Sequence, residues 1–334
     1  MAVDGLKLLA LTAVCGLAAV PAYAQLAAHG PRPAFDTRPA IPTAAGDTGL
    51  WFVPAAETLP ARRWVVSAYR VNTDYDQGFT DVSNWPVAFG IGANERAELF
   101  AALTIVNRID RDVGPDILAG GVVNEYPFVA TGWTGSHLGD LRLGAKFSLA
   151  SQSRGSPAAM ALRAVVKIPT ADRGTGAGTG KADVAVDAIV SREINERVEL
   201  AGFGGVIVRG DPEPVGLLNG FRWGFGVGLP TRRHLRLTAE VHGEAYAGQT
   251  AAATRSAFET TTDVLVPAGP AQNNLVFAAV GLTWLGHQGL FAGAGLSWNL
   301  RMKARSELGP FGNEPGDAIG LQVRVGYRAK VPKF

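Results

Sequence analysis

From Trp64 onward the chain repeats stretches of about eight to a dozen residues in which apolar and polar positions alternate with period two, the spacing of strands whose faces meet different surroundings. In 140–149, Leu141, Leu143, Ala145, Phe147 and Leu149 alternate with Asp140, Arg142, Gly144, Lys146 and Ser148. In 220–229, Phe221, Trp223, Phe225, Val227 and Leu229 alternate with Gly220, Arg222 and three further glycines. The pattern predicts twelve strands: 63–70, 85–92, 97–105, 139–149, 158–168, 181–191, 198–209, 220–229, 234–246, 275–284, 290–300 and 317–329. Connections after the even-numbered segments are short, such as 93–96 and 230–233, and those after the odd-numbered ones are mostly long: 71–84, 106–138, 169–180, 210–219, 247–274 and 301–316. An even number of strands with short turns on one rim and long loops on the other predicts an all-β fold, a transmembrane antiparallel β-barrel of the outer membrane.

A soluble β-sandwich also alternates, but its outward face is polar and seldom glycine-rich. Here the second face carries glycine and charge, which suits the crowded inner wall of a barrel. Trp64, Trp85, Trp223, Trp284 and Trp298 fall at or near predicted strand ends, and Tyr327 near the last, where aromatic girdles meet a membrane surface. After the first 24 residues no run of 18 apolar residues exists, so no transmembrane helix competes.

The start of the chain sets the expected compartment. Lys7, the apolar stretch Leu8–Val20 and Pro21-Ala22-Tyr23-Ala24 read as a secretory signal, 1–24, cleaved near Ala24. Cys15, the one cysteine, goes with it, leaving a chain that enters an oxidising compartment without disulfides. Residues 25–62 carry Pro31, Pro33, Pro39, Pro42, Pro54 and Pro60 without alternation and form an irregular leader, placed as a potential plug; the barrel is 63–334.

Composition narrows the function classes. With 47% apolar and 18% charged residues the chain is not disordered, and a net charge of +2 gives no footprint for nucleic acid. The 42 glycines call for a structural use. Gly174–Lys181 departs from a phosphate-binding loop at Thr175 and Ala182 and precedes a strand, so it reads as a flexible exposed loop. Asp110, Asp112 and Asp116 have a calcium-like spacing, but Gly114, Pro115 and Gly121 stand where further ligands or turns would be needed, and a solvated acidic tip is expected. His242 and Glu244 share one predicted face without a serine nearby; His29, His137, His234 and His287 are scattered. No enzyme activity, cofactor or metal is expected.

The inner-face charges are the informative group. Arg142, Lys146, Arg163, Lys167, Arg222, Arg236, Arg324 and Arg328 share that face with Asp183, Asp187, Glu240 and Glu244. Buried charges need partners or water, so these side chains either brace the wall or line a hydrated pore. Twelve strands lie between the filled eight-stranded barrel and the open channels of about sixteen. The expectation is passive passage of small solutes, with outer-membrane lipid and the barrel-assembly machinery as partners. A side-chain-blocked structural or partner-binding barrel is the alternative, and a lipid hydrolase or acyltransferase comes third. Nothing marks an oligomer face.

Gly139-Asp140-Leu141-Arg142-Leu143-Gly144-Ala145-Lys146, then Ala164-Val165-Val166-Lys167-Ile168-Pro169-Thr170, the glycine run 174–180 and Lys181-Ala182-Asp183 resemble the outer-membrane barrel family named for phenol meta-pathway operons. The resemblance covers residues 139–210 best. It implies transport of small, often aromatic compounds. Thr48–Pro60 is similar to the opening of barrels in some cases fused to a peptidoglycan-binding domain, which this chain is expected to lack. The family's terminal aromatic is matched by Phe334, but Val323, Val325 and Tyr327 run in the opposite phase, so a bulge or a strand end near Ala329 is expected.

Overall fold

A computed structural model of the chain describes residues 41–77, 79–112, 122–129, 132, 134–213, 215–248, 252–254, 265–267, 274–302 and 318–329. The signal segment, Cys15, His29, most of loop 110–116 and Phe334 lie outside the described residues.

Twelve strands form one closed antiparallel barrel. They are β1 (Trp64–Tyr75), β2 (Thr80–Gly92), β3 (Ala97–Arg111), β4 (Leu141–Ala150), β5 (Ala159–Ile168), β6 (Asp183–Ile194), β7 (Val198–Arg209), β8 (Gly220–Leu229), β9 (Leu235–Tyr246), β10 (Leu275–Leu285), β11 (Leu290–Asn299) and β12 (Ile319–Arg328). Neighbours in sequence pair throughout, and β1 closes the ring on β12 with Val65 opposite Arg328. Closure leaves no unpaired barrel edge, which is what lets strands cross a membrane. Among the described residues no helix is long and apolar enough to cross one.

The burial pattern is inverted relative to a soluble protein. Val208 and Phe225 are 57% and 56% exposed on the outer face, while Arg236 and Arg324 are 1% exposed inside. That distribution is stable only with lipid outside and with partners for the charges within.

Three predicted boundaries are corrected. Residues 71–84 are not a long loop: β1 runs to Tyr75, β2 starts at Thr80, and Tyr75 pairs with Thr80. β3 likewise continues past residue 105 to Arg111. These extensions contain Asn72, Asp74, Asp81, Ser83, Asn107 and Asp110. Their backbone ladder persists while the apolar outward phase fades, because beyond the lipid band nothing requires it. Trp85 therefore stands within β2, at a register shift with Pro86, rather than at a strand end. The predicted loops 210–219 and 247–274 also contribute short strands, Val215–Gly216, Ala252–Thr254 and Leu265–Pro267, which form a separate three-stranded sheet.

Residues 41–62 form no strand of the wall. Two isolated bridges, Pro42 to Thr48 and Gly49 to Pro54, fold them into tight turns, and Leu50, Val53 and Ala56 are wholly buried. At the long-loop end, Val123, Tyr126 and Val129 pack on Tyr75, Val82 and Ile109 of the polar extensions.

Candidate functional site in the barrel lumen

The inward phase of the strands fixes where each charged side chain points, because alternate residues of a strand face opposite sides. Direct register brings Arg163 opposite Asp187 and Lys167 opposite Asp183 on β5 and β6. Lys167 Nζ lies 2.7 Å from Asp183 and 3.5 Å from Asp140. Asp187 accepts from Arg163 at 2.9 Å and from Arg222 at 2.7 Å. Arg222 stands opposite Glu244 in register, yet its guanidinium reaches Asp187, while Glu244 binds Arg209 at 2.5 Å. Arg236 binds Glu199 at 2.5 Å, and Arg142 meets Glu125 of the inturned loop at 3.4 Å. Arg328, at the last position of β12, is half-buried on the short-turn rim, apart from this network.

The second set of partners comes from residues 41–62. Glu240 of β9 accepts three consecutive backbone N–H groups, from Trp51 at 2.8 Å, Phe52 at 2.9 Å and Val53 at 2.7 Å. Glu98 of β3 accepts the Thr48 N–H and hydroxyl, each at 2.7 Å, and the Leu59 N–H at 2.9 Å. Lys146 donates to the Thr48 and Ala55 carbonyls at 2.9 and 3.0 Å. Arg324 donates to the Leu50 carbonyl at 2.7 Å and lies 4.1 Å over the Trp51 ring. Arg163 donates to Asp47 at 3.1 Å, and Tyr69 to the Pro42 carbonyl. An irregular segment has backbone groups that no ladder satisfies, and the wall charges satisfy them. Burial alone would raise the Asp47 carboxyl, but Arg163 and Lys146 beside it outweigh burial and hold it below its ordinary value.

Glycine on the inner wall makes the space. A Cβ on Gly281 would stand 2.3 Å from Trp51 Nε1, and one on Gly226 would stand 2.4 Å from Leu50 Cδ1. Any larger residue at these two positions would occupy the volume that the segment fills.

Toward the long-loop end the lumen holds a cavity of about 310 Å³. Arg142, Arg222 and Glu244 line it with Phe52, His242 and Phe277. The His242 ring lies between Phe52 at 4.8 Å and Phe277 at 5.6 Å. His137 instead bonds the Thr134 carbonyl, and His234 and His287 meet edge to face, 4.1 Å between centroids, at a short turn. Among the described residues no cluster of three or more metal-ligating side chains occurs. The glycine run 174–180 is not an exposed loop: Ala177 and Thr179 are buried, with Thr179 bonded to Lys167 at 3.1 Å.

The aromatics lie on the outward phase. Trp64 packs on Phe89 and Tyr327 at the short-turn end, with Trp284 half exposed nearby in the ring. Trp223 and Trp298 stand near the opposite strand ends. Pattern reading missed Glu98, Glu199 and Arg209, though each stands in the inward phase of its strand; Asp47, in the irregular segment, had no such signal.

No protein-family model matches the chain, and no curated protein matches it in sequence. Among solved structures it is similar to the COG4313 outer membrane channel from Pseudomonas putida F1, at 12% identity and a TM-score of 0.56, over 82% of this chain and 98% of that one. It also overlaps the KdgM porin (5% identity, TM-score 0.44, 80% and 99% covered) and a TodX monoaromatic hydrocarbon channel mutant (10%, 0.44, 87% and 96%), too loosely to carry an argument. The first likeness agrees with the strand pairing: the chain is a closed twelve-stranded antiparallel β-barrel of the outer-membrane type.

Proposed function

We propose that this barrel resides in the outer membrane of a diderm bacterium and passes small solutes, with residues 41–62 acting as a plug in the short-turn half of the lumen. The observation that carries this reading is what fills that half. The wall there is trimmed to glycine at positions 226 and 281, and the volume is taken by a threaded segment rather than by packed wall side chains. Apart from the isolated Ala61–Gly92 bridge at its end, the segment is held by hydrogen bonds, ion pairs and side-chain packing and can leave without breaking a pairing between barrel strands; a lumen closed by its own wall cannot open that way. The cavity beyond it, with aromatic and charged lining, is the vestibule in which solutes, small aromatic compounds among them, would gather. The outward aromatics are assigned as anchors at the two membrane surfaces, and the inner charges as both bracing and selectivity groups.

Planar-bilayer recording tests this. The chain with residues 25–62 deleted is expected to conduct more than the intact chain. Silence from both forms would favour the alternative of a permanently braced structural barrel, for which the Arg163–Asp187–Arg222 bridge is the supporting observation.

A further inference from the structure

Besides the exit of the chain at Ala329, the described residues of the short-turn rim form six segments: the approach to β1 at 61–63 and the turns 93–96, 151–158, 195–197, 230–234 and 286–289. Five carry an exposed arginine, namely Arg62, Arg96, Arg154, Arg197 and Arg233, and the sixth carries exposed His287. None of the described residues in these segments is lysine. Of the nearby acids, Glu193 and Glu196 both engage Arg232, at 2.6 and 3.5 Å, and Glu95 stands exposed beside Arg96 without a salt bridge to it. Arg62, Arg96, Arg192, Arg197 and Arg233 make no salt bridge to a described carboxylate. Arg192 is more telling still. It lies on the outward phase of β6 between Val190 and Ile194, each 37% exposed on the lipid-facing side. The other rim is mixed, with Asp110, Asp112, Asp172, Asp211 and Glu213 exposed there beside Arg108, Arg173, Lys181 and Arg301, so the collar is not a general basicity of a chain whose net charge is +2.

We infer that the arginine collar on the short-turn rim is a docking surface for anionic phospholipid headgroups of the adjoining leaflet. Three features select this occupant. The arginines are spread around the circumference, which matches a laterally continuous sheet of headgroups, whereas a folded partner would engage one arc. They stand next to the last outward apolar residues of the strands, such as Leu235 and Leu290, 50% and 51% exposed, so that a guanidinium can snorkel to the phosphate level. The guanidinium fork also pairs two donors with two phosphate oxygens, a geometry that lysine lacks. The inference rests on the membrane-spanning reading of the barrel and is independent of conduction.

The test uses the full-length protein in phosphatidylcholine vesicles doped with spin-labelled phosphatidylglycerol or spin-labelled phosphatidylcholine, and reads the fraction of each lipid immobilised at the barrel. The anionic lipid is expected to be preferred by roughly fivefold, the effect of one arginine beside an anionic surface, with the preference shrinking as salt is raised. The variant R62Q/R96Q/R154Q/R192Q/R197Q/R233Q should lose it, and R192Q alone should lower it if the six-site variant does not insert. Equal association of the two lipids with wild-type protein would overturn the inference, as would a preference that survives in the variants. Protection of the same arginines by soluble polyglutamate, without lipid selectivity, would overturn it in favour of an acidic protein partner. A chain that fails to insert at all would overturn the membrane reading with it; insertion without selectivity overturns the collar alone.

Discussion

Glu240→Ala removes the acceptor for three consecutive N–H groups of the lumen segment while leaving every residue of that segment in place. A hydrogen bond to a charged group is worth about 1.5–3 kcal/mol, so the three together have an upper bound of about 5–9 kcal/mol. Two effects reduce this. The substitution also abolishes the cost of keeping a carboxylate buried, and the freed N–H groups can take water once the segment loosens. A net loss of about 3 kcal/mol remains, equivalent to a shift of about 150-fold in the ratio of docked to released segment. Ala56 is fully buried against Ala159, Ala161 and Ile189, so Ala56→Cys in a chain made without Cys15 reports release through its rate of maleimide labelling. Labelling should accelerate by two orders of magnitude in Glu240→Ala and by less in Glu240→Gln, whose amide oxygen can still accept. An unchanged rate in Glu240→Ala would refute the assignment of Glu240 as the clamp on residues 51–53.

The same reporter reads a steric perturbation: Gly281→Ala drives a Cβ to 2.3 Å from Trp51 Nε1 and should destabilise docking by about 1–3 kcal/mol, with no added effect when Trp51 is also replaced by alanine. Acidification tests Asp47. Its carboxyl is held below the ordinary 3.8 when docked, so its contribution is complete above that value and is lost as pH falls through the lower docked value. Divided by the rate for the urea-unfolded chain at the same pH, which removes the thiolate's own pH dependence, labelling should therefore stay flat from about pH 7 to 5 and rise only below about 4, and the rise should be absent in Asp47→Asn; a rise near pH 6 would point to another group. Asp187→Asn leaves Arg163 and Arg222 sharing one neutral amide and should cost the barrel about 3–5 kcal/mol, read as a lowered midpoint of urea unfolding in detergent.

The apolar band was legible because it is a local property. In β7 and β8, predicted and observed limits coincide: Val198, Leu200, Val206 and Val208 of β7 and every second residue from Phe221 to Leu229 of β8 mark the outward face, although Phe203 and Ile207 of β7 are apolar and point inward. The polar extensions of β1 to β3 were not legible because their outward face is polar and their inner face packs on residues 122–129 of a distant loop, so no apolar outward phase marks residues that nevertheless keep their ladder. The inner charges could be assigned to a face but not to partners. Register alone would have paired Arg222 with Glu244, whereas side-chain reach across the lumen gives Arg222 to Asp187 and Glu244 to Arg209.

By itself the amino-acid sequence determined the strand count, the inside-out polarity and the inward face on which the charges and many of the glycines lie, because a strand's faces are set by neighbours two residues apart. Only the tertiary structure decided what those inward residues serve. Glu240 meets Trp51 across 189 residues of sequence, and Gly281 and Gly226 face side chains of an irregular segment that no periodicity marks. Such contacts depend on closing the whole ring, so they exist in the closed barrel and in no local stretch of the chain.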